Sequence, residues 1–189
     1  MPTIGKRLVL AMAWTAGAAL AAGSVAATPA YHAAQSAQEQ TLLRVLKADE
    51  NPAANVNPID ERGLRRPRTT PPPGAPYLKV LTAALAKAIL AAEAREVKAN
   101  CGGVYKRGEL CGMDSDAIVC AQDFPDHYLF RTTESAADRV VIEAAWPPDQ
   151  AGASQPSASG EYRLTLSGGV WKIDGISCAE GDRYNWPAR

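Results

Sequence analysis

The stretch Glu161-Tyr162-Arg163-Leu164-Thr165-Leu166-Ser167-Gly168-Gly169-Val170-Trp171-Lys172-Ile173-Asp174 decides how this chain folds. Before the glycines, Tyr162, Leu164 and Leu166 alternate with Arg163, Thr165 and Ser167, which is the period of a strand with one buried face. Gly168-Gly169 accepts the positive φ that a two-residue primed turn demands, so the chain reverses as a hairpin. That turn sets the register. Leu166 faces Trp171 and Leu164 faces Ile173 on one buried face, with Arg163, Thr165, Lys172 and Asp174 sharing the other.

Upstream, Tyr128 to Glu134 reads as a strand, Ser135 to Asp138 as a turn, and Arg139 to Trp146 as a second strand with Val140, Ile142, Ala144 and Trp146 on one face. Pro147-Pro148 ends it, and a Gly/Ser/Pro/Gln loop runs to about Ser159. Tyr77 to Ala99 is the strongest helix signal, rich in Ala, Leu, Lys and Glu, with Leu78, Leu81, Leu85, Ile89 and Ala92 recurring at three and four. Cys101-Gly102-Gly103 stops it, because glycine takes the left-handed cap conformation. Ser36-Ala37-Gln38-Glu39 has capping-box form and opens a short helix over Leu42, Leu43, Val45 and Leu46, which Asn51-Pro52 ends. Helices first and an antiparallel meander after them make an α+β domain, the helices packed on a curved antiparallel sheet.

Between the helices, Asn51 to Pro76 holds seven prolines together with Arg62, Arg65, Arg66 and Arg68. Prolines this dense forbid helix and central strand, so the segment is an extended connection. Its arginines suit an anionic surface such as lipid headgroups or wall polymers; the plainer reading is a solvated loop, since Asp60 and Glu61 sit beside them. At the start of the chain, Lys6 and Arg7 precede the apolar run Leu8 to Ala22 and the small residues of Ser24-Val25-Ala26, the three parts of a secretory signal peptide. Cleavage is expected after Ala26, with Ala27 the next choice. The organisation is then a signal peptide over 1–26, a short helix with a Pro/Arg-rich linker over 27–76, and an α+β domain over 77–189. No cysteine precedes Cys101, so no lipoprotein attachment site adjoins the cut, and no later stretch is apolar enough to span a bilayer. These features predict a periplasmic or secreted protein, soluble once cleaved.

Whole, the chain balances 20 basic against 20 acidic residues; without its leader it carries 18 against 20. A nucleic-acid partner requires a clear basic excess, so that class is excluded. The four cysteines, Cys101, Cys111, Cys120 and Cys178, lie too far apart for the close pairs of structural zinc and read as two disulfides. Four cysteines allow three pairings, and spacing does not choose rigorously among them. The preferred one closes a Gly-rich loop with Cys101–Cys111 and ties the middle of the fold to its last strand with Cys120–Cys178.

Asp114-Ser115-Asp116-Ala117-Ile118-Val119-Cys120-Ala121-Gln122-Asp123-Phe124 resembles the signature of an uncharacterised family of bacterial secreted proteins and lipoproteins, matching at Asp116, Ile118, Ala121, Gln122, Asp123 and Phe124 and departing at Ala117, where proline is usual. The closing Gly168 to Ile176 is similar to that family's last hairpin. The resemblance spans Tyr77 to Cys178. It implies the cone of the nuclear-transport-factor-2-like superfamily, with helices across a curved sheet, and carries no established activity.

A cone of that kind leaves a concave pocket, and the polar groups expected near it are Asp116, Gln122, Asp123, His127 and Tyr128. Two carboxylates and a histidine suit acid–base chemistry if burial tunes them; equally, Asp116 and Asp123 suit the ordering of turns before the sheet. No Gly-x-Ser-x-Gly elbow and no EF-hand loop is present, so no catalytic residue, metal or cofactor is assigned. Trp146 and Trp171 read as core, and Tyr184 to Trp186 as a tail that either makes contacts or folds back. The function expected is a non-enzymatic binding module for a periplasmic or envelope protein or other envelope component. The alternatives are a small-molecule carrier or enzyme using the cone, and an immunity or inhibitor protein against a periplasmic effector.

Overall fold

The computed structural model describes residues 29–47, 66–71, 73–114, 116–121, 125–147, 156–179 and 185–186. The leader, most of the Pro/Arg-rich linker, Gln122, Asp123, Phe124 and Tyr184 lie outside them. The hairpin forms as its sequence dictates. Strands β3 (Ser157–Ser167) and β4 (Val170–Cys178) are joined by Gly168 at φ 59° and Gly169 at φ 78°, and Leu166 pairs with Trp171 and Leu164 with Ile173. The register then shifts between Arg163 and Leu164, so Asp174 has no opposite number and Arg163 faces Gly175. Such a bulge re-aims one side chain. The Asp174 carboxylate accepts a hydrogen bond from Thr82 Oγ1 (3.0 Å), while the Arg163 guanidinium occupies the space a side chain at Gly175 would need. Burial of the hairpin also differs along its length. Leu164 and Ile173 are fully buried, but Leu166 is 40% and Val170 52% exposed, and Trp171 is half-buried.

Ahead of the hairpin, β1 (Leu129–Ser135) and β2 (Arg139–Trp146) complete the meander, and β5 (Asn185–Trp186) adds a last antiparallel strand, giving the order β1-β2-β3-β4-β5. Unpaired sheet edges invite association with other chains, and here β1 and the part of β4 that the short β5 leaves uncovered receive additional backbone pairing. His32 makes two backbone bonds with Phe130 of β1 (2.9 and 2.7 Å). On β4, Ile173 N–H donates to Val80 O (2.8 Å) and Thr82 N–H donates to Ile173 O (2.9 Å), a parallel bridge between Leu81 and β4.

That bridge shortens the long helix the sequence suggests. Pro76–Lys79 forms a single 3-10 turn that Val80 closes in the helical region (ψ −22°), Leu81 bridges to β4 and Thr82 is extended, and α2 occupies Ala83–Cys101. Thr82, at ψ 152°, caps α2 by accepting from Leu85 N–H (3.3 Å). The apolar stripe survives because Leu81, Leu85, Ile89 and Ala92 remain buried while Lys87, Arg95 and Lys98 stay exposed. Gly102, at φ 75°, ends the helix as expected. The first helix, α1 (Ala37–Lys47), begins at the capping box: Glu39 N–H donates to Ser36 Oγ (3.1 Å) and Ser36 N–H to Glu39 Oε2 (3.0 Å). Its Leu42, Val45 and Leu46 enter the same core as Leu85 and Ile89 of α2 and Phe130, Ile142 and Tyr162 of the sheet. Two disulfides, Cys101–Cys111 and Cys120–Cys178, complete an α+β fold. No described helix is long and apolar enough to cross a membrane.

Candidate functional site

Of the residues expected to line a pocket, Asp116 is half-buried at the mouth of a tight turn. Its Oδ1 accepts from Ile118 N–H (2.7 Å) and Val119 N–H (2.8 Å), its own N–H donates to Ala121 O (2.9 Å), and its carbonyl accepts from Cys120 N–H (2.9 Å). This is the turn-ordering role open to aspartate before a sheet. Cys120 closes the turn in the left-handed region (φ 63°), which a non-glycine residue occupies only when its surroundings impose it. The disulfide to Cys178 and the Tyr162 hydroxyl, which donates to Ile118 O (2.7 Å) in the interior, supply that constraint. His127 is exposed, whereas Tyr128 is buried with its ring stacked 6.5 Å from that of Phe130. The two neighbours therefore differ sharply in exposure. Gln122 and Asp123 fall outside the described residues.

Two other carboxylates lie deeper, and each holds a chain crossing together. Glu39 is 2% exposed; besides Ser36 N–H its Oε2 accepts from Gln35 N–H (2.9 Å), and Oε1 accepts from Thr132 Oγ1 (3.1 Å), joining α1 to β1. Burial alone raises its pKa. The amides of Ser36 and Gln35, the Thr132 hydroxyl and His32 outweigh that and hold the carboxyl below its ordinary 4.5. Glu93 on α2 accepts from Tyr105 O–H (2.8 Å) and Met113 N–H (2.8 Å), pinning the loop that Cys101–Cys111 closes. Burial and the Glu93 bond push the Tyr105 hydroxyl well above its usual range. Gly112 beside it is required by contact, since a side chain there would collide with the Glu93 carboxylate. Glu109 stands near these two sulfurs, yet both are committed to the disulfide and neither is a thiolate able to ligate a metal. On the outer face of the sheet, Tyr31 O–H donates to Glu143 Oε2 (2.7 Å), Arg131 makes an ion pair with the same oxygen, and the Arg131 guanidinium stacks 4.4 Å from the Tyr31 ring. Burial, with the Glu143 contact, raises the Tyr31 hydroxyl to about 12.

Among the described residues, Tyr162, Phe130, Leu42 and Leu90 are buried in the interior between helices and sheet. An open groove of about 490 Å³ lies elsewhere, at the hairpin tip, lined by Gly74, Ala75, Leu78, Lys79, Ser167, Val170 and Lys172. Its walls are made by the 3-10 turn and the ends of β3 and β4. Lys172 Nζ donates to Leu78 O (2.8 Å), tying the two walls, and Lys79 is exposed. Burial raises the Tyr77 hydroxyl, an effect that the Arg68 charge offsets only in part. The sequence hides this groove because it is assembled from segments about ninety positions apart; the one local signal is an apolar residue on either side of a Ser-Gly-Gly tip, at Leu166 and Val170. No family model, curated protein or solved structure matches the chain.

Proposed function

We propose that this is an exported, periplasmic, non-enzymatic binding module of the nuclear-transport-factor-2-like class, which engages an envelope component through the tip of the β3–β4 hairpin. The leader-like start of the sequence and the two disulfides, which fit an oxidising compartment, support the address. The observation that carries the binding reading is the tip itself, where Val170 lines an apolar groove at 52% exposure and Leu166, on the opposite face of the hairpin, is 40% exposed, while Leu164 and Ile173 behind them are buried. Exposed apolar groups gathered at one place, rather than scattered, mark interaction sites. The carboxylates Asp116, Glu39 and Glu93 are engaged in holding the fold, which favours surface recognition over interior catalysis.

The test is a photo-crosslinking residue at position 170, compared with one at exposed Lys98 on α2, in intact cells that export the protein. Adducts with an envelope protein or lipid are expected from position 170 and not from 98. Equal labelling from both positions would overturn the reading.

A further inference from the structure

The chemistry around the groove narrows what docks there, on the footing of the binding reading above. All the charged residues lining the groove are cations, Lys79 and Lys172, although acids and bases balance over the whole chain. Two acids belong to the same strands and turns without lining the groove: Asp174, whose carboxylate accepts from Thr82, and Asp138 in the β1–β2 turn, whose backbone carbonyl accepts from Leu166 N–H (2.8 Å). Lys172 uses one of its three ammonium hydrogens on Leu78 O, leaving two for an outside acceptor. Past the lysines the hairpin ends in Gly168-Gly169, which have no side chains, so Leu166 and Val170 are the apolar groups nearest the tip.

We propose that the tip docks on an anionic phospholipid surface, Val170 and Leu166 entering the headgroup–acyl boundary while Lys79 and Lys172 meet the phosphate oxygens. The arrangement matches that layering, because lysine stems lie along apolar surface and carry their charge outward. A lipid surface needs only a small apolar insertion reinforced by a few cations, each strengthening adsorption about fivefold. Being partly electrostatic, the attachment weakens with salt.

The experiment is co-sedimentation of the protein, as processed and exported by the cell, with vesicles of phosphatidylcholine alone or mixed with phosphatidylglycerol. Binding is expected only to the anionic vesicles and is expected to fall several-fold on going from low to physiological salt. Val170→Asp is expected to weaken it about tenfold or more, and Lys79→Glu about fivefold or more. Each variant is checked for an unchanged unfolding midpoint, and Val170→Leu is expected to bind as the parent does. Equal sedimentation with both vesicle types, or anionic binding indifferent to Val170→Asp and Lys79→Glu, overturns the lipid assignment. So does the absence of vesicle binding when position 170 crosslinks to an envelope protein, an outcome that leaves the binding module standing with a different partner.

Discussion

The two ends of the β3–β4 hairpin are treated in opposite ways. At the end that holds Gly160 and Cys178, the turn from Asp116 to Ala121 is locked on by a disulfide, by the Tyr162–Ile118 hydrogen bond, and by a fit so close that a side chain at Gly160 would stand 3.1 Å from Cys120 Sγ. At the tip, Leu166 and Val170 meet solvent, Val170 in a groove with two lysines. The difference separates polar groups that build the fold from groups the fold leaves over. Asp116, chemically the more suggestive residue, serves the closed end, whereas Val170, chemically bland, marks the open one.

Changes at the closed end should cost most. Replacing Cys120 and Cys178 together by serine is expected to lower stability by about 4 kcal/mol, because that disulfide spans 58 positions; loss of Cys101–Cys111, which spans 10, is expected to cost nearer 3. Denaturant titration of the two double variants gives the order, and equal or reversed losses would break the comparison. Tyr162→Phe leaves the Ile118 carbonyl buried without that donor and should cost about 1–2 kcal/mol by the same titration.

Acid sensitivity sharpens the picture at α1. The folded-state carboxyl of Glu39 lies below 4.5, so its contribution is fully present above that pH and is lost as pH falls through the lower folded value. Glu39→Gln should therefore cost about 1 kcal/mol near neutral pH and flatten the acid side of the stability–pH curve. A parallel curve, merely shifted down, would place the acid response in other groups.

Much of the architecture was legible because it is local. The Gly168-Gly169 turn fixed the register from Leu164 to Trp171, Ser36 and Glu39 formed their reciprocal cap, and Gly102 ended α2. Features requiring distant partners were not legible. Nothing near Tyr77 announces that Val80 and Thr82 will bond to Ile173, so the helix begins six residues later than the sequence suggests. The same limit hid the groove, whose walls meet only through tertiary packing. The acidic candidate Asp116 had two readings in sequence, and its geometry supplies every contact of the turn-ordering one.

Equilibrium unfolding of Val170→Asp most directly tests whether the hairpin tip is surface left for a partner. If it is, a charge at this half-exposed position changes the unfolding free energy by no more than about 0.5 kcal/mol. A loss of about 2 kcal/mol or more would mean that the tip is packed against the chain's own residues, and the contrast between a closed end and an open one would fail.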